Sequence, residues 1–76
     1  MTKDAALALV SKELDLAIAK HSKINSAHEG WAIIYEELTE LWAEVMAKEE
    51  HRKGYKLREE AAHTAVTAIR FLMELC

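Results

Sequence analysis

The sequence predicts an all-α fold of three helices, the second and third forming an antiparallel hairpin that pairs with another chain into a four-helix bundle. Three observations carry this reading. Proline is absent, and only Gly30 and Gly54 punctuate a chain dominated by Ala, Leu, Glu and Lys, so helix propensity stays high along nearly the whole length. Apolar residues recur at three-four spacing, and no alternating strand pattern competes with them. A chain of 76 residues buries only about 60% of its unfolded surface, so without disulfides it gains from oligomerising.

The first helix is expected over residues 3–20. Leu7, Val10, Leu14, Ala17 and Ile18 make one apolar stripe, and Ala5, Leu9 and Leu16 make a second on a different side, which predicts that this helix touches two neighbours. Residues 21–25 form a polar loop without periodicity. Ser26 followed by Glu29 is a capping box, which opens the second helix and gives Glu29 a structural reading beside a functional one.

The second helix is expected over residues 27–50. Trp31, Ile34, Tyr35, Leu38, Leu41, Trp42, Val45 and Met46 fall within one broad arc, wide enough for two packing partners. His51, Arg52, Lys53 and Gly54 supply a basic last turn and a left-handed stop residue. A third helix over residues 55–75 follows, with Leu57, Ala61, Ala65, Ala68, Ile69 and Leu72 on its apolar half. The small residues there let another helix approach closely, hence the bundle. With no internal repeat and no Gly-, Ser- or Pro-rich linker, residues 1–76 read as a single domain.

Charge and composition exclude several functions. Ten Lys+Arg against thirteen Asp+Glu give a formal net charge of −3, the wrong sign for a nucleic-acid-binding domain. No run approaches the roughly 20 apolar residues that cross a bilayer, and Lys3, Asp4, Lys12, Glu13 and Asp15 interrupt any signal-peptide core. Cys76 is the sole cysteine, so internal disulfides and Cys-based zinc sites are out of reach. A cytoplasmic protein is the expectation.

Chemistry concentrates on two helices. Glu36, Glu37, Glu40 and Glu44, with Glu29, project within one arc of the second helix. Like charges at this spacing cost about 0.2–0.5 kcal/mol per pair, and Lys48 is the only cation placed to offset them within the helix. Divalent cations such as Mg2+ and Mn2+ neutralise such a face well, taking oxygen ligands from adjacent turns. The competing reading is a solvated outer face, against which stands Ile33 in the middle of the arc. On the third helix Glu59, Glu60, His63, Thr67, Arg70 and Glu74 lie opposite the apolar half. Glu60 and His63 form Glu-x-x-His, a spacing that converges two ligands on one ion.

At these residues the stretch from Ser26 to Leu75 resembles the MazG-like all-α nucleotide pyrophosphohydrolases, phage and mobile-element members included. The family pattern is Glu-Glu-x-x-Glu on one helix and Glu-x-x-Asp on the next. Glu36-Glu37-Leu38-Thr39-Glu40 keeps the first element, and HEGWAIIYEELTELWAEV and KLREEAAHTAVTAIRFL are similar in wording around both. The resemblance implies a homodimer or tetramer of helical hairpins. It also implies Mg2+, with Mn2+ as an alternative, held by Glu36, Glu37, Glu40 and Glu60, and a nucleoside triphosphate substrate cleaved to pyrophosphate and a nucleoside monophosphate. Glu37 and Glu40 carry the catalytic roles in that reading. His63 stands where the pattern has aspartate, and imidazole suits Mn2+, Fe2+ or Zn2+ better than Mg2+.

Two other functions are open at this stage. A homodimer with paired glutamates and Glu-x-x-His elements has the ligands of a dinuclear iron or manganese bundle, and a non-catalytic relative would keep the helical oligomer alone. Lys53, Lys56, Arg58 and Arg70 are candidates to clamp a triphosphate, although solubility charges are the simpler reading. Trp42 is assigned to the core or a dimer contact, Trp31 and Tyr35 to a base contact, and His28 and His51 to the surface.

Overall fold

The computed structural model describes every residue except Arg52. It contains three α-helices, α1 (Lys3–Lys20), α2 (Ala27–Met46) and α3 (Gly54–Leu75), with a short 3-10 turn at Glu49–His51. Among the described residues there is no strand, and no helix is long and apolar enough to cross a membrane.

Each helix start has a local cause. The Thr2 hydroxyl accepts from the Ala5 N–H at 3.0 Å, and the Ser26 hydroxyl accepts from the Glu29 N–H at 3.1 Å; a cap of this kind stabilises a helix by about 1 kcal/mol. The Glu29 carboxylate accepts from the Asn25 side-chain amide at 3.3 Å, so the capping glutamate is tied to the loop before it.

α2 stops at Met46, four residues short of the expected end at residue 50. Ala47 turns extended, with ψ 145°. Short helices hold together by burying an apolar face, and between Ala47 and Tyr55 the sequence offers none. Gly54 is not the left-handed stop residue: it has no positive φ and is the first residue of α3. Arg52, part of the expected basic last turn, lies outside the described residues.

Gly30 faces Phe71, and Glu37 faces Thr64, so α2 and α3 run antiparallel and pack closely. At Gly30 the helices come so near that a Cβ there would lie 2.6 Å from the Phe71 ring and 2.8 Å from Leu75. α1 packs along α3 as well, with Glu13 beside His63 and Ser22 beside Arg70, which makes α1 parallel to α3. α1 and α2 make no comparable contact with one another. Within the chain α1 therefore meets one neighbour rather than two, and Leu7, Leu16 and Ile18 remain exposed.

The central surprise is which side of α3 turns inward. Glu60, Thr67 and Arg70, expected on a polar outer side, are buried beside Ala62 and Val66. Ala61, Ala68 and Leu72, expected on the packing half, are exposed. α3 has two flanking helices set apart, and the sector between them is a cleft that polar side chains fill. Leu57, Ala65 and Ile69 of that half are half-buried, and on α2 Trp31, Tyr35, Leu38, Trp42, Val45 and Met46 are likewise uncovered.

The loop between α1 and α2 is anchored by Ile24, which is fully packed although its segment reads as polar. Its N–H donates to Glu74 Oε1 at 2.8 Å.

Candidate metal centre

Between α1 and α2, floored by α3, lies an open cleft of about 820 Å3. Its acidic wall carries Glu36 and Glu37 of α2, Glu13 lines it from α1, and His63 and Arg70 belong to its floor.

Three ligand-type side chains meet at this wall. Glu37, Glu60 and His63 each offer one donor atom, all within 4.8 Å of one another. Helical spacing puts Glu60 and His63 on successive turns of α3. The α2–α3 packing brings Glu37 to them, with the Thr64 hydroxyl donating to the Glu60 carbonyl at 2.9 Å and reaching the Glu37 carbonyl at 3.4 Å. Glu60 is only 5% exposed. One of its oxygens lies 3.1 Å from the Lys56 ammonium. Its other oxygen, like Glu37 Oε2, is buried without a hydrogen-bond partner among the described residues. Buried carboxylate oxygens are seldom left so, because the lost hydration costs more than any neutral polar group's.

Glu40 stands beside the pair. The charge of Glu37 holds the Glu40 carboxyl above its ordinary range, with slight desolvation next and then the nearness of the Glu37 and Glu60 carboxylates. Two anions too close to ionise together behave this way. Lys56 shows the complementary effect: its hydrogen bond to Glu60 and the charge of Glu59 hold its ammonium above the ordinary lysine range.

Of the residues expected to bind metal, Glu37, Glu60 and His63 therefore converge, with Glu40 at their exposed edge. Glu36 is exposed on the adjoining wall of the cleft and is not part of the cluster. Glu13 is a residue the sequence reading did not single out. Its carboxylate lies 3.7 Å from His63 Nε2, and the available signal is that it occupies the half-buried stripe of α1 with Val10, Leu14 and Ala17.

The expected phosphate clamps are placed differently. Arg70 is 5% exposed and committed, donating from Nε to Glu74 at 2.8 Å and from Nη2 to the Ser22 carbonyl at 2.9 Å. Lys56 is committed to the acidic cluster, and Lys53 lies 6.0 Å from the Tyr55 ring centroid. Arg58 is exposed. Trp31 and Tyr35, whose ring centroids are 6.2 Å apart, lie on the outer side of α2 and do not line the cleft. Trp42 is exposed there too and is not a core residue of this chain.

The residues present fit a divalent cation. Two orphaned carboxylate oxygens give hard, anionic donors, and an imidazole beside them widens the choice to borderline transition ions. Comparison with protein-family profiles, with curated proteins and with solved structures returns no match, so the case for function rests on this geometry.

Proposed function

We propose that the chain is a divalent-metal-dependent nucleoside triphosphate pyrophosphohydrolase of MazG-like type, releasing pyrophosphate and a nucleoside monophosphate, and that it works as a homodimer or tetramer. The observation that supports this best is the pair of buried oxygens, Glu37 Oε2 and Glu60 Oε2, with no partner among the described residues, in a cluster whose Glu37 and His63 line a cleft. Glu37, Glu60 and His63 hold the cation, Mg2+ or Mn2+. Bound there, it supplies charge neutralisation for the phosphoryl oxygens and acidifies a water. Glu40, at the exposed edge of the cluster, is placed to accept a proton. Leu16, Ile33 and Val66 give the cleft an apolar patch for a nucleoside, and Lys20 and His21 line it as well. Its size suits such a ligand.

Assembly is supported by the uncovered apolar side of α2 and α3, where Trp31, Trp42, Met46 and Leu72 are each about 60% exposed. A continuous surface of this kind marks an interaction site, and pairing hairpins through it gives a four-helix bundle.

Assaying purified protein against a panel of nucleoside triphosphates tests the activity. Pyrophosphate release that requires Mg2+ or Mn2+ and falls about a hundredfold or more in Glu60→Gln is expected. A wild-type protein with no metal-dependent release on any of them removes the proposal. His63 in the cluster favours one second reading, a dinuclear iron or manganese bundle. Elemental analysis of chelator-free preparations distinguishes it, through iron or manganese retained in stoichiometric amount.

A further inference from the structure

We infer that Glu13 of α1 is a positioning residue for the cation site: it holds the His63 imidazole from behind, so that the ring's other nitrogen faces Glu37 and Glu60 and the site selects Mn2+ over Mg2+. The inference rests on the cation reading above and adds a residue and a selectivity to it.

An acidic cluster alone would not carry this. What carries it is the combination of a nearly fully buried Glu60 with one oxygen unpartnered among the described residues and a histidine of the same cluster that has the carboxylate of another helix beside its Nε2. Glu13 Oε2 sits 3.7 Å from His63 Nε2, while a ring nitrogen of His63 lies within 4.8 Å of donor oxygens of Glu37 and Glu60. A neutral imidazole has one N–H and one lone pair. When a carboxylate takes the N–H, the lone pair is left at the other nitrogen and becomes more basic. Closing 3.7 Å to the usual ~2.9 Å of an N–H···O bond requires only a small rotation of a side chain that lines the open cleft. Glu13 belongs to a helix that contributes nothing else to the acidic cluster, and it reaches His63 because α1 packs parallel to α3. An imidazole ligand of this kind favours Mn2+ over Mg2+, whose preference is for oxygen.

The test is calorimetric titration of Mn2+ and of Mg2+ into the wild type, Glu13→Gln, Glu13→Asp, His63→Ala and the Glu13→Gln/His63→Ala double variant, with metal-free melting of each as a fold control. The expected result is that Glu13→Gln weakens Mn2+ about tenfold or more, leaves Mg2+ nearly unchanged, and adds nothing to His63→Ala. Glu13→Asp keeps the charge and recovers part of the loss. Nitrogen-15 spectra of the wild type with a diamagnetic ion such as Zn2+ should show the His63 proton fixed on Nε2. Mn2+ binding that is equal in wild type and Glu13→Gln overturns the role of Glu13 while leaving the cation site intact. A loss shared equally by Mn2+ and Mg2+ overturns it too, since that is what mere docking of α1 predicts. A wild type that binds neither ion removes the underlying site as well.

Discussion

α3 buries two ionic clusters on its inner side, and they are built to opposite ends. Glu60 and Arg70 are equally inaccessible, each 5% exposed. Around Arg70 the hydrogen bonds close: the guanidinium donates to both Glu74 oxygens and to the Ser22 carbonyl, and Glu74 also accepts the Ile24 N–H. Around Glu60 they do not: Lys56 meets one oxygen from the solvent side, and the other, like Glu37 Oε2, has no partner among the described residues. Burial of a charge is therefore common to both clusters on this helix, and completeness of pairing is what separates them. The first cluster clasps the α1–α2 loop to the end of α3, and the second gathers Glu37, Glu60 and His63 with their pairing incomplete among the described residues.

Arg70→Ala is expected to have the largest effect on this contrast. Removing one partner of a buried pair strands the other, so urea unfolding should report a loss of about 3 kcal/mol. Cation binding by the folded fraction should survive. Glu37→Gln should act with the opposite sign: the metal-free protein gains about 1 kcal/mol because a buried anion with an orphaned oxygen disappears, while the rise in melting temperature on adding Mn2+ is lost. If Glu37→Gln destabilises the metal-free protein as Arg70→Ala does, the two clusters are of one kind.

Acidity gives the smallest effect and separates the clusters without mutation. The Glu74 carboxyl is held below its ordinary range, chiefly by the hydrogen bond from Arg70 and then by the Ile24 N–H. Its contribution is present above the unfolded-state value and disappears as pH falls through the lowered folded value. Glu40 runs the other way. Its raised carboxyl contributes stability that is complete below the unfolded-state value and is lost as pH rises through the raised folded value. Metal-free protein should thus be most stable at mildly acidic pH, and Mn2+ should flatten the decline toward neutrality while leaving the acid limb in place. Melting curves across pH, with and without the ion, check both halves.

The sequence makes the helices and much of the acidic centre legible because both follow from spacing along one element. α1 spans the expected residues 3–20, and Ser26 marks the start of α2. Glu37, Glu60 and His63 are identifiable from carboxylates and imidazole on adjacent turns. The direction in which α3 faces is not legible: a helical wheel sends Glu60, Thr67 and Arg70 outward by polarity, whereas in the fold all three are buried and Thr67 and Arg70 floor a cleft between helices that stand apart. Ile24 and Glu13 escape for a related reason. Each is one residue whose meaning depends on a contact 50 positions away in sequence, and a local pattern holds no record of such contacts. Glu36 lines the cleft but stands apart from the Glu37, Glu60 and His63 cluster, since adjacent residues on a helix point in different directions.

The placement of Trp31 and Trp42 has a practical consequence. Both indoles, the protein's only two, stand on the outer side of α2, and neither lines the cleft. Intrinsic fluorescence consequently reports on the outer side of α2 and not on the cleft. A blue shift with rising protein concentration registers the indoles leaving water, and a spectrum that stays still as an ion is titrated in marks the cleft as optically dark.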